Sequence, residues 1–207
     1  MKLWSTAWQN GEPIPARHAA AHVEGSQVVA GANLSPPLAW GDLPAGCRSL
    51  VLICHDFDMP LRRGGDSGNA PSAECDRADF FHWVLVDLPP TLSGLAEGDG
   101  GQGFTPGGRA DATAPHGARH GDNDFTRWYD GDAAHAGRYA GYDGPHPPAD
   151  DPLVHHYLFT LYALSVDRLP VDAPLTGATV REALAGRVLD AATLSGTYTL
   201  NRLHRGV

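Results

Sequence analysis

The chain has 207 residues, 42% hydrophobic and 19% charged, and its 24 acidic and 15 basic residues give a net charge of −9. A chain of this length buries roughly 70% of the surface it exposes when unfolded, so it needs no disulfide or metal staple. The charge excludes a general nucleic-acid binder, which requires a basic face to displace counterions, and it disfavours docking on anionic membranes.

The first residues contain no apolar run of signal-peptide length, and no run of about 18 apolar residues occurs anywhere, so no transmembrane segment is expected. Cys47, Cys54 and Cys75 are odd in number and too few for a disulfide scaffold, which points to free thiols in the cytoplasm. One domain over 1–207 is expected.

The first strong strand signal is 49–56, apolar and β-branched. It runs into Asp56-Phe57-Asp58-Met59-Pro60, where alternation places Asp56 and Asp58 on one face; an ordinary strand-end turn explains the same residues. A polar run, Arg62-Arg63-Gly64-Gly65-Asp66, leads to a second strand over 80–88. There, alternation gives His82 the same face as Val84 and Val86, and a satisfied core histidine is the plain alternative.

Residues 94–144 hold 13 of the 25 glycines, yet they also carry Phe104, Phe125, Trp128, Tyr129, Tyr139 and Tyr142. A disordered linker is poor in aromatics, so this reads as an ordered excursion anchored to the core. The third strand is 155–164, with His155 and Tyr157 on one face and His156 on the other. A helix is expected over 179–185, with Thr179 and Glu182 at capping-box spacing. A second short turn over 187–192 and a strand over 196–200 follow. Strands first and helix last give an all-β core with a C-terminal helical appendage.

Known chemical motifs are sparse. There is no Walker loop, GxSxG elbow or strand-to-helix dinucleotide fingerprint. His116, His120, His135 and His146 are scattered through or just beyond the glycine-rich stretch and are read as no dedicated zinc site. No metal and no cofactor are therefore expected. Cys54, inside an apolar strand, reads as inert.

Several short stretches, in one order, resemble the phosphatidylethanolamine-binding protein family, and more closely its bacterial Raf-kinase-inhibitor-like branch. They are Asn33-Leu34-Ser35-Pro36-Pro37-Leu38-Ala39-Trp40, Leu43-Pro44-Ala45-Gly46, Asp56 to Pro60, Phe81-His82-Trp83-Val84, Tyr142-Asp143-Gly144-Pro145-His146-Pro147-Pro148, the 155–164 strand and Leu194-Ser195-Gly196-Thr197-Tyr198. Together they run from about residue 30 to residue 200.

The resemblance implies an antiparallel Greek-key β-sandwich with short C-terminal helices. It also implies a small pocket for phosphate or a phosphorylated headgroup. By position it assigns Asp56, Asp58, Pro60, His82, Gly144, Pro148, His155 and Tyr157 to that pocket. Phe57, Met59, His146 and His156 replace the usual proline, alanine, cysteine and arginine, and the bulk at 57 and 59 narrows or re-aims the mouth. The polar run after Pro60 is expected to border it.

The resulting expectation is a non-enzymatic binding protein that uses His82, His155 and Tyr157 as donors to a small anion, with a carboxylate keeping an imidazole cationic. One rival is an inhibitor acting on a kinase or protease partner. Another is a hydrolase using the Asp/His pocket. A protein partner and a homodimer complete the candidate assemblies.

Overall fold

The computed structural model describes residues 1–61, 71–171 and 174–204. The polar run at 62–66 lies outside the described residues. Among the described residues, ten strands form three antiparallel sheets. The largest is built on the three expected strands: β5 (Ser49–Pro60) at its centre, with β9 (His155–Leu164) on one side and β6 (Arg77–Leu88) on the other. Strand β10 (Val188–Tyr198) lies outside β9, and β8 (Arg119–His120) outside β6. A three-stranded sheet joins β1 (Lys2–Trp4), β4 (Leu38–Gly41) and β7 (Gly94–Leu95), and β2 (Ala21–Glu24) pairs with β3 (Gln27–Ala30).

Both faces of the five-stranded sheet are buried, which explains why β5 and β6 read as nearly continuous apolar runs. Leu50, Leu52 and Cys54 point to one face and pack with Trp83, Phe159 and Leu161 against Leu38, Trp40 and Leu95. Val51, Ile53, Val84 and Val86 point to the other, beneath Val180 and Leu184 at the helix α2 (Gly177–Ala183). The glycine-rich excursion is ordered and contains a one-turn helix, α1 (Phe125–Trp128). Phe104, Phe125, Trp128, Tyr129 and Tyr139 gather on Met59 and Phe80 as a third apolar cluster. The three cysteines are free, and Cys54 is buried.

Two local expectations are corrected. The turn expected over 187–192 is strand: Asp190, Ala191 and Ala192 pair with Ala163, Tyr162 and Leu161. Gly186, at φ 73°, reverses the chain into that pairing, and ladder bonds outweigh the helical preference of alanine. Helix α2 begins earlier than expected. Its cap is Thr176, which accepts a bond from the Thr179 N–H at 3.3 Å, and the Thr179 hydroxyl accepts from the Thr176 N–H at 3.0 Å.

Candidate functional site

A register shift decides where the site lies. Cys54 pairs with Trp83 but the next residue, His55, pairs with Phe81, so β6 carries one extra residue at His82. Such a bulge turns two consecutive side chains to the same side. His82 therefore leaves the face of Val84 and Val86, where alternation had placed it, and joins Trp83 on the opposite face. There its ring lies 5.1 Å from Tyr157, 5.0 Å from Phe80 and 5.6 Å from Phe125, centroid to centroid.

The structure brings Asp56, His82, His155 and Tyr157 together from three adjacent strands. Asp56 pairs across the sheet with Tyr157 on one side and Phe80 on the other. Its Oδ2 receives His155 Nδ1 at 2.6 Å, and its Oδ1 receives the Asp58 N–H at 2.7 Å. His155 Nε2 meets Asp151 Oδ2 at 3.1 Å, and Arg77 grips both Asp151 oxygens at 2.9 and 3.0 Å. The result is a buried chain of alternating charge, Asp56–His155–Asp151–Arg77. Burial opposes a charged His155, but the bond and charge of Asp56, then those of Asp151, outweigh it and hold the imidazole above its ordinary value. Asp151 is likewise disfavoured as an anion by burial, yet Arg77 and the Leu153 N–H keep it below the usual carboxylate range.

This commits His155. Both of its N–H groups are engaged by carboxylates, so it has none to offer a ligand, contrary to the expectation that it donates to an anion. His82 is the opposite case. Its Nδ1 lies 2.7 Å from the Asp143 carbonyl, which can only accept, so Nδ1 carries the proton and Nε2 presents a lone pair. Burial lowers its pKa to about 4, even with Asp56 and the carbonyl opposing the shift. It is neutral at pH 7, and the carboxylate-sustained imidazolium expected here belongs to His155 instead. The Tyr157 hydroxyl is buried and makes no hydrogen bond of ordinary geometry. Burial, then the Asp56 charge, raise it well above the usual phenol range.

The other expected site residues have different roles. Asp58 does not share the face of Asp56, because the β5 register slips between Asp56 and Met59. Its carboxylate instead holds the backbone N–H and Nδ1 of His156, each at 2.8 Å, and Phe57 stacks on that imidazole at the rim. Pro60 and Pro148 line two cavities, of about 370 and 330 Å³, that share Trp128 as a wall. Gly144 is a packing residue: a Cβ there would stand 2.0 Å from the His18 carbonyl oxygen and 2.8 Å from the Tyr142 hydroxyl. Gly144→Ala is expected to lower stability by about 1–3 kcal/mol through overpacking. A lower urea midpoint at unchanged m would show it, and an unchanged midpoint would refute the packing role.

Sequence reasoning missed the group that fixes His82. The Asp143 carboxylate is buried and receives Asn33 Nδ2 at 2.8 Å, Asn123 Nδ2 at 2.8 Å and Arg109 Nη2 at 3.0 Å. Burial raises its pKa to about 6 against the pull of these donors. Four segments thus meet at the residue whose carbonyl orients the histidine. Arg77 and Asp151 were missed as well. His116 and His120 do stand four apart, but one lies in a 3₁₀ turn and the other on β8. Among the described residues no group of three His, Cys, Asp or Glu is placed to hold a metal ion.

The same architecture occurs elsewhere. The crystal structure of YbcL from Escherichia coli superposes with a TM-score of 0.65 at 29% identity, covering 96% of this chain and 97% of that one. That of the homologue CT736 from Chlamydia trachomatis gives 0.64 at 30% identity, covering 95% of each. The E. coli UPF0098 protein YbhB is 31% identical over 96% of this chain and all of its own length. A Mycobacterium tuberculosis protein called putative lipoprotein LppC is also 31% identical, over 96% of this chain and 72% of its own. The family model for phosphatidylethanolamine-binding protein matches residues 4–199, nearly the whole chain, and the chain belongs to the phosphatidylethanolamine-binding protein family.

Proposed function

We propose that the protein is a non-enzymatic binder of small phosphorylated or related anionic ligands. One observation carries this reading: the Tyr157 hydroxyl, which makes no hydrogen bond of ordinary geometry, lies on a ring 5.1 Å from the His82 imidazole, whose Nδ1 is held by the Asp143 carbonyl so that Nε2 carries the lone pair. The first donates and the second accepts, which suits a phosphate monoanion carrying one P–OH. Hydrolysis through the expected Asp/His pair is disfavoured, because Asp56 and His155 are locked to each other and to Asp58 and Asp151, which leaves His82 Nε2 as the base such a reaction would need. Turnover of a model phosphate ester that disappears in Asp56→Asn would overturn the non-enzymatic part.

Calorimetric titration with phosphate tests the rest. Tyr157→Phe is expected to weaken phosphate binding about tenfold, the worth of a hydrogen bond to a charged group. It should shift the melting temperature little, because the buried hydroxyl it removes makes no hydrogen bond of ordinary geometry and only a poorly aligned contact with Asp56. Sulfate has no proton of its own and must draw one onto His82. Its affinity should fall about tenfold per pH unit from pH 5 to 7, above the His82 pKa of about 4. Equal sulfate affinity at both ends would remove Nε2 from the ligand contact.

Three free thiols support a reducing compartment, the cytoplasm. Among the described residues no helix is long and apolar enough to cross a membrane. Cell fractionation tests this assignment, and recovery with the envelope would refute it.

A further inference from the structure

Residues 142–144 belong to no helix or strand, yet their two successive peptide groups are gripped at all four ends. In the 142–143 peptide, the Tyr142 carbonyl accepts Arg109 Nη2 at 2.7 Å and the Asp143 N–H donates to the His82 carbonyl at 3.1 Å. In the 143–144 peptide, the Asp143 carbonyl accepts His82 Nδ1 at 2.7 Å and the Gly144 N–H donates to Asn33 Oδ1 at 2.7 Å. His82 is thus bonded twice to Asp143, and the second bond assigns its proton. Arg109 and Asn33 meet again on Oδ1 of the Asp143 carboxylate. Asn33 and Asn123 are neutral donors, so Arg109 is the only cation among the described residues that compensates this buried anion. The guanidinium is itself anchored, with Nη1 donating to the carbonyls of Gln102 and Gly103. Gly101 leaves room for it: a Cβ there would stand 3.2 Å from Nη2.

We propose that Arg109 is a positioning residue for His82, acting through Asp143: it holds the 142–143 peptide where the Asp143 carbonyl meets Nδ1, and so decides that Nε2 is the nitrogen without a proton. The carboxylate and the carbonyl belong to one residue, which couples them. A buried carboxylate that loses its only cation takes up a proton. The acid hydrogen then confronts the Asn33 and Asn123 amide donors that the carboxylate had accepted. Relieving that contact turns residue 143 and carries its carbonyl away from Nδ1. Loss of Arg109 also releases the Tyr142 carbonyl, the far end of the peptide whose N–H bonds the His82 backbone. The glycine-rich excursion thereby acts on the site from behind, through one arginine. The functional weight of this inference rests on the reading above that Nε2 meets a ligand.

The test needs no ligand. In protein carrying nitrogen-labelled histidine, NMR at pH 7 resolves ring nitrogens with and without a proton, and the His82 pair is assigned by its absence from His82→Gln. The wild-type protein is expected to carry the His82 proton on Nδ1. Arg109→Met should lower the ratio of the Nδ1-protonated to the Nε2-protonated form about tenfold, the worth of one hydrogen bond. Arg109→Lys keeps the charge without the fork and should retain most of the ratio. His155, held doubly protonated between Asp56 and Asp151, should be unchanged in both variants and reports any folding defect.

The wild-type protein supplies a second arm, which decides alone if Arg109→Met does not fold. Lowering the pH from 7 to 5 crosses the Asp143 value of about 6 and stays above the His82 value of about 4. The titratable groups facing Asp143 are Arg109 and the phenols of Tyr139 and Tyr142, none of which changes charge in this window. His120, beside Arg109, stays neutral down to about 4. Around His82 stand Asp56 and His155, locked together, and His55, which burial holds below its ordinary value. The His82 ratio should therefore fall between pH 7 and 5. An Nδ1 proton that persists in folded Arg109→Met, or in the wild-type protein at pH 5, would overturn the positioning role and leave anion binding to its own titration. A ratio that responds as expected in a protein that binds no phosphate would leave the positioning role standing and remove the ligand reading.

Discussion

Acidification from pH 7 to 4 is expected to destabilise the protein by about 3 kcal/mol, largely through two histidines. Burial holds His82 and His120 at about 4 in the folded state, whereas the unfolded chain protonates them at 6.5. Between these values the unfolded state binds more protons, so stability falls as pH falls. Each histidine contributes a loss of about 3 kcal/mol over this window. Asp143 acts in the opposite direction. Its folded pKa of about 6 lies above the unfolded 3.8, so the folded state takes up its proton first and regains about 3 kcal/mol. The His155 contribution is fully present below 6.5 and fades only as pH rises through its elevated folded value, so it adds little here. Urea unfolding at pH 7, 5.5 and 4 measures the effect, and His82→Gln with His120→Gln should reverse its sign, leaving the Asp143 gain on acidification. The same midpoint at pH 7 and 4 would refute neutral burial of these two rings.

The substitution His155→Leu is expected to cost about 3–5 kcal/mol, because it strands two buried carboxylates that the imidazolium separates and neutralises. For a chain of this size that lowers the melting temperature on the order of 10 °C. The double variant Asp56→Leu with His155→Leu removes one stranded charge together with its partner, and should recover part of the loss. His156→Leu, two-faced neighbour of the same strand but exposed at its rim, serves as the control and should cost under about 1 kcal/mol. A His155→Leu protein as stable as wild type would show that the chain of alternating charge contributes nothing to the fold.

The frame of the fold was legible because β5, β6 and β9 are apolar runs bounded by turn residues, and both of their faces are covered. The convergence of Asp56, His82, His155 and Tyr157 was legible for a related reason. Polar groups inside such strands must find partners, and the strands that carry them lie next to one another. Four things were hidden. The bulge at His82 leaves no trace in composition, since one extra residue only changes the phase of the side chains. Asp143 looks like a loop aspartate until Asn33, Asn123 and Arg109 arrive from three distant segments. Arg77 and Asp151 were opaque for the same reason, being 74 residues apart. Ala191 and Ala192 misled because a strand at the edge of a sheet is set by its neighbour more than by its own preferences.

The extra residue in β6 makes the chain more vulnerable to changes of length than of chemistry at this point. Removing one residue between Arg77 and Phe80 would let the strand regain regular pleating and rotate the side chains between the deletion and Trp83 to the opposite face. Phe80 would then abandon the aromatic wall over the imidazole, and Phe81 would leave the packing beneath α2. A one-residue deletion at an exposed glycine such as Gly131, in a turn with open space around it, faces no such alternation. Among variants that differ by single-codon insertions and deletions, tolerated changes should therefore collect in the loops of the excursion and be absent from 77–83, even where point substitutions in that strand are accepted.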